Sequence, residues 1–225
     1  VIAASRNEGI RQAGGDFIAF LDSDDWWYPK KLEIVNRYAG KADVIYHNLD
    51  IYTVRGRKII HGERRRQVKA PVFIDLMVNW NPLLNSSVVV RRSIVEQVGG
   101  LSEDERLTTI EDFDLWLKIA MVTDNFIYIN KKLGRYRAGQ GNLSESSARH
   151  ISRIENIFDK YLPLLAGDRS EQARMQKAYL IGRIQQKSGL RDEAIRSFQQ
   201  SRRSGNNIIR MKSGLLIAML RLGLL

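Results

Sequence analysis

Four short apolar runs bounded by turn residues alternate with segments of helical spacing: "DFIAFLD" from residue 16, "ADVIYHNLDIYT" from 42, "NSSVVV" from 85 and "NFIYIN" from 125. Strands alternating with helices imply an α/β layer architecture. The first run suits a buried parallel strand. Ahead of it, "SRNEGIRQAGG" reads as a short helix capped by Ser5 or Asn7 and stopped at Gly14 and Gly15. Pro29 fits the first turn of the next helix, whose Leu32, Val35 and Tyr38 fall at helical spacing. "RGRKIIHGERRRQVK" reads as a polar hairpin, "RRSIVEQVGG" as a short helix ending on Gly99 and Gly100, and "TTIEDFDLWLKIAM" as a helix capped by Thr108 or Thr109.

After about residue 143 the strand signals stop, and residues 145–225 read as helices with breaks near 163–167, Gly189 and Gly205. Gly182, Gly189, Ala194 and Phe198 have the spacing of one tetratricopeptide-like hairpin, with Gln185 and Asn206 where that repeat usually carries tyrosine and proline. An ordinary helical extension explains the segment as well. A lone hairpin cannot bury its own face, so docking on the α/β body is expected.

The length of 225 residues and the 44% hydrophobic content allow one sizeable core with an appendage. The net charge of +11 is uneven: residues 151–225 hold 14 Lys and Arg against 6 Asp and Glu, and residues 1–150 hold 22 against 19. Such a basic segment suits a phosphate-rich membrane surface or nucleic acid, but no nucleic-acid motif accompanies it. There is no cysteine, which excludes disulfides and thiolate chemistry. No signal peptide and no clean apolar window of about 18 residues is visible. The expected location is cytoplasmic, peripheral at the inner face of the plasma membrane. Val1 already adjoins a helical segment, and the expectation is that the natural beginning is missing.

Within this frame, "FLDSDDWWYPKKL" places Asp22, Asp24 and Asp25 side by side. Crowded carboxylates disfavour their own ionised forms unless a cation or hydrogen-bond donors compensate. Hard oxygen ligands on a turn after a strand suit Mg²⁺ or Mn²⁺, completed by water and phosphate oxygens. Alternatively, Asp24 and Asp25 cap a helix beginning near Trp26. Glu111, Asp112 and Asp114 likewise crowd a first helical turn, where capping and the dipole favour acids.

The run "SRNEGIRQAGGDFIAFLDSDDWWYPKKLE" resembles the central segment of family 2 glycosyltransferases of GT-A fold, usually like ARNxGixxAxGeyIaFLDsDDxwxPxKLe. "NSSVVVRRSIVEQVGGLSE" resembles the segment lining the family's acceptor side, "IEDFDLWLKIA" its ED-containing helix, and "LGRYRAGQGNLS" its closing YRxHxxNxS segment. The resemblance covers roughly residues 1–147. It implies a partial GT-A domain over 1–147, with the first strands absent, followed by an all-α extension over 148–225.

Carried over residue by residue, the resemblance implies that Asp22 and Asp24 hold a divalent metal, Mg²⁺ or Mn²⁺, on the donor's diphosphate. Arg6, Asn7 and Arg137 would lie beside that donor, and Trp27, Trp80, Asn85 and Ser86 on the acceptor side. Asp112 would be the general base, with Glu111 the reserve and Asp114 a cap or metal-side support. Such displacement inverts the anomeric centre while the metal stabilises the leaving diphosphate. The implied activity is transfer from a nucleotide-diphosphate sugar to a glycan or lipid-linked acceptor hydroxyl, in cell-surface polysaccharide or glycolipid synthesis.

Two departures stand out. Gly139 occupies the position of a common histidine, whose role would fall to Arg137 or Gln140. The strands that select the nucleotide would precede Val1, so this chain alone is expected to bind donor poorly. The competing function is a non-catalytic remnant acting as a protein- or membrane-binding module. A nucleotidyltransferase of similar fold is disfavoured by the ED helix and the YR segment.

Other features are assigned less. One tryptophan of Trp26 and Trp27 is expected to pack in the core. Arg64, Arg65 and Arg66 read as a solvated face, and His47, His61 and His150 have no metal-ligand spacing. The sequons at Asn85 and Asn142 read as chance. "NNIIRMKSGLLIAMLRLGLL" reads either as an interfacial helix on anionic lipid or as a helix packed on the preceding hairpin.

Overall fold

The computed structural model describes residues 2–53, 58–59, 65–138, 147–203 and 205–225. They form two compact units, each considered by itself: residues 1–76 with 81–144, and residues 77–80 with 145–225.

The first unit is built on one mixed sheet of six strands. These are β1 (Phe17–Ala19), β2 (Trp26–Trp27), β3 (Val44–Thr53), β4 (Lys58–Ile59), β5 (Val89–Arg91) and β6 (Phe126–Ala138). Their order is β1-β5-β3-β6-β2, with β4 on β3. Among the described residues only β3 and β6 pair in parallel; β1 with β5, β3 with β5, β3 with β4 and β2 with β6 are antiparallel. The expectation of a parallel first strand is therefore corrected. A short apolar run buried on both faces reports burial but not direction. Among the described residues β1 is paired on one side alone, as an edge strand.

The connecting helices are α1 (Ile2–Gln12), α2 (Lys31–Asn36), α3 (Val72–Asn79), α4 (Arg92–Gln97) and α5 (Glu111–Ala120). Val35 of α2 packs with Ala42, Ile45, Val89, Ile129 and Leu133. The apolar stripe of α5 supplies Phe113, Leu117 and Trp116, all buried, and the Trp116 ring meets Phe20 edge-on at 5.5 Å. Burial of several large side chains on one helix, at about 1.5–3 kcal/mol each, holds α5 and so fixes its N-terminus.

The helix starts differ from the capping expectations. Ser5 and Asn7 lie inside α1, which begins at Ile2. Thr109 has φ +72°, and α5 starts after Ile110 with no side-chain cap. No helix begins near Trp26, where β2 runs, and α2 starts after Lys30 without a side-chain cap, so Asp24 and Asp25 do not cap it. Of the expected hairpin over 55–69, the β4 pairing to β3 is described, while 55–57 and 60–64, including His61 and Arg64, lie outside the described residues.

The second unit contains α6 (Ser147–Tyr161), α7 (Gly167–Lys187), α8 (Arg191–Ser201) and α9 (Asn207–Arg221). Helices α7 and α8 form the expected hairpin. Gly189 turns the chain at φ +75°, and a Cβ on Gly182 would lie 2.8 Å from the buried Phe198 ring. Ala194, Phe198, Ile217 and Leu220 form this unit's core cluster.

Candidate active site

The turn after β1 carries Asp22, whose environment is set by three elements. The backbone N–H of Asp22 donates to Ser86 Oγ at 2.9 Å, and Asn85 Nδ2 donates to Asp22 Oδ1 at 2.8 Å. From α1, Arg6 Nη2 reaches the same Oδ1 at 2.5 Å, while its Nη1 reaches Glu111 Oε1 at 2.6 Å. One guanidinium thus joins the aspartate turn to the first turn of α5. Both ion pairs are largely shielded from water, with Glu111 only 4% exposed, so each is worth more than an exposed pair.

Asp112, next to Glu111, is half-buried yet densely surrounded by protein. Burial first and the neighbouring Glu111 charge second push its carboxyl up to about 7, against the pull of the Phe113 N–H and of Arg6. The charge of Asp22 also reaches it. Asp112 therefore shares one electrostatic neighbourhood with the aspartate turn. The third acid of the turn of α5, Asp114, is fully buried.

Asp24 is exposed and has no hydrogen bond among the described residues, whereas Asp25 is buried and accepts from the backbone N–H of Arg137 at 2.8 Å. Burial pushes the Asp25 carboxyl up. The link from Asp25 to Arg137 ties the aspartate turn to β6. Arg137 itself is exposed there, and Gly139 and Gln140 lie outside the described residues.

The residues expected on the acceptor side divide. Asn85 and Ser86 are buried and grip Asp22 directly, so they hold the aspartate turn in place. Trp27 donates its ring N–H to Ser86 O at 2.9 Å and is half-buried. Trp80 groups with the helical unit, where its ring stacks on Phe158 at 6.0 Å, nearly parallel. Asn7, expected beside the donor, is held in a hydrogen-bonded clamp. Its amide accepts from Leu101 N–H and donates to Leu101 O and Glu103, clamping the loop after Gly100.

Lys31 was not singled out by the sequence. Its side chain is fully buried, with Nζ 3.4 Å over the Trp27 ring and 3.3 Å from Ser86 O. Burial lowers its amine to about 7. The position lies inside the matched PxKL run, but two adjacent lysines at a helix start read as solvated. His47 is likewise buried, and burial pushes its ring down to about 4.

Among the described residues, no group of three or more His, Asp or Glu side chains is placed to hold a metal. The exposed Asp24 and the partly open Asp22 fit a different arrangement. In it two carboxylates would supply part of the shell of Mg²⁺ or Mn²⁺, with substrate phosphate and water completing it.

A family model described as "Glycosyltransferase like family 2" matches residues 1–180, reaching into α7. An uncharacterized glycosyltransferase of Rickettsia bellii is 27% identical over 188 residues, covering 78% of this chain and 26% of that protein. The amylovoran biosynthesis glycosyltransferase AmsB of Erwinia amylovora is 26% identical over 141 residues, covering 60% of this chain and 46% of that protein. The chain thus spans between about a quarter and a half of these relatives. Among solved structures, S. aureus TarS 1-349 superposes with a TM-score of 0.58 at 14% identity, over 98% of this chain and 66% of that one, a likeness of fold.

Proposed function

The chain belongs to the glycosyltransferase-like family 2, and on that premise we propose that it carries the catalytic centre of an inverting transferase. The donor is a nucleotide-diphosphate sugar and the acceptor a hydroxyl of a glycan or lipid-linked glycan. The naming of AmsB for amylovoran biosynthesis supports a surface polysaccharide as the product class. Asp112 takes the proton of the acceptor hydroxyl as its oxygen bonds to the anomeric carbon. The bond from that carbon to the diphosphate breaks, and the electron pair leaves with the nucleotide. Asp22 and Asp24 would hold Mg²⁺ or Mn²⁺, which supplies Lewis-acid stabilisation of the leaving diphosphate.

The observation that carries this reading is the Arg6 bridge between Asp22 and Glu111. It draws the donor-side carboxylate and the acid-rich turn of α5 into one site, with Asp112 alongside, although 105 residues separate Arg6 from Glu111. Transfer and donor hydrolysis by the protein, with a panel of sugar nucleotides in Mn²⁺, test the proposal. Donor binding that survives Asp112→Asn while transfer disappears supports it. Undiminished transfer by that variant refutes the assignment of the base.

A further inference from the structure

Helix α9 has two apolar faces, and only one is used. Ile209, Ser213, Ile217 and Leu220 are buried, with Ser213 bonded to Ser201, and Ile217 and Leu220 packed with Ala194 and Phe198. At about 100° per residue these positions lie about half a turn from Ile208, Met211, Leu215 and Leu222. The latter four are 63%, 74%, 62% and 73% exposed. An ordered stripe of four large exposed apolar side chains differs from the scattered ones that any surface carries.

Charge indicates what covers it. From Ala194 to Leu225 the chain has six cations, Arg196, Arg202, Arg203, Arg210, Lys212 and Arg221, and no aspartate or glutamate. On α9 itself, Lys212 projects to one side of the stripe, and Arg210 and Arg221 to the other. An apolar stripe flanked on both sides by cations matches the boundary between acyl chains and anionic headgroups. A protein partner covering the stripe would have to supply acids on both flanks as well. At 15 residues the helix is about 22 Å long, too short for a hydrocarbon core of about 30 Å. No helix among the described residues is long and apolar enough to cross a membrane.

We propose that α9 lies along an anionic lipid surface. Ile208, Met211, Leu215 and Leu222 enter the acyl boundary, and Lys212, Arg210 and Arg221 meet the headgroups. The surface is independent of the transfer chemistry proposed above and brings no substrate into it.

Co-sedimentation of the intact 225-residue chain with vesicles of phosphatidylcholine, with and without phosphatidylglycerol, is the test. The chain should pellet with the anionic vesicles, and binding should fall steeply between about 0.1 and about 1 M salt, as the screening length shrinks from about 10 to about 3 Å. Met211→Asp with Leu215→Asp should weaken partitioning at least ~10-fold at unchanged helicity, since both side chains are outside the core. Should that pair disturb folding, Arg210→Gln with Lys212→Gln gives a second reading, with the loss confined to low salt. Equal pelleting with neutral vesicles, or unchanged binding by either variant, overturns the proposal. A concentration-dependent dimer that Met211→Asp with Leu215→Asp abolishes, without lipid binding, reassigns the stripe to a second copy of the chain.

Discussion

Lys31 holds its ammonium 3.4 Å above the ring of Trp27 with none of its surface exposed. This buried cation supports the Ser86 carbonyl, and the same residue's hydroxyl receives the N–H of Asp22. Cation–π attraction and one hydrogen bond offset part of the desolvation cost, and the remainder lowers the amine to about 7. An unfolded lysine titrates near 10.4, so the unfolded chain binds more protons between pH 7 and 10. The penalty is full below about pH 7 and fades as pH rises. Relative to Lys31→Met, wild-type stability in urea should therefore climb from pH 7 to 9.5, by up to about 1.4 kcal/mol per unit. A pH-independent difference would show that Lys31 stays charged throughout.

For Asp112, a carboxyl raised to about 7 predicts a base that is half-protonated at neutral pH. Only the ionised form accepts a proton, so kcat/KM should rise with pH through that region and then level off. Arg6→Gln removes a cation that lowers this value, and the limb should move to higher pH. Asp112→Asn should cost at least ~100-fold in transfer. A profile flat from pH 5 to 8 would place the base elsewhere.

Asp22 and Asp24 should separate by stability. Asp22→Asn disrupts the Arg6 ion pair and leaves Glu111 to face that guanidinium alone, which should lower stability by about 1–3 kcal/mol. Asp24→Asn touches an exposed side chain and should stay within about 0.5 kcal/mol. Both should abolish the Mn²⁺ dependence of turnover. Thermal melting alongside Mn²⁺ titration checks the pair, and an Asp24→Asn enzyme with normal Mn²⁺ response would remove that residue from the metal site.

What could be read in the sequence was whatever depends on local pattern. The apolar runs at 16–22, 42–53, 85–90 and 125–130 each hold a strand, and the helices end on Gly99 and Gly189 as glycine punctuation suggests. Strand β2 was hidden, because it exists only where Gly134 of β6 lets two backbones close: a Cβ there would lie 2.7 Å from Trp26 O. The extension of β6 through "KKLGRYRA" was hidden too, since its lysines are solvated while Leu133 and Gly134 are buried. In the site, the family likeness brought Asp22, Glu111 and Asp112 into view. Their internal counter-charge did not show, because Arg6 and Glu111 are 105 residues apart and meet only in the folded chain. The counter-charge expected from a metal is thus partly supplied by the protein.

The helical unit offers a test free of any catalytic premise. Gly182 sits where any side chain would enter the Phe198 ring, with three ring atoms within 3.2 Å of a Cβ. Phe198 is fully buried between α7 and α9, and Tyr179 packs on it at 6.0 Å, so the ring has little room to retreat. Overpacking of this kind costs about 1–3 kcal/mol, against a gain of up to about 1 kcal/mol from replacing a helical glycine by alanine. Gly182→Ala should therefore be close to neutral or mildly destabilising, and Gly182→Val, bulkier and β-branched, clearly destabilising. Phe198→Ala should cost about 3–5 kcal/mol. Combining Gly182→Val with Phe198→Leu should recover part of the loss, because the valine then fills space the ring vacated. Urea unfolding of these variants and of Phe198→Leu alone, followed by helicity, measures each step, and strictly additive losses in the double variant would show that α7 and α8 do not meet through these two residues.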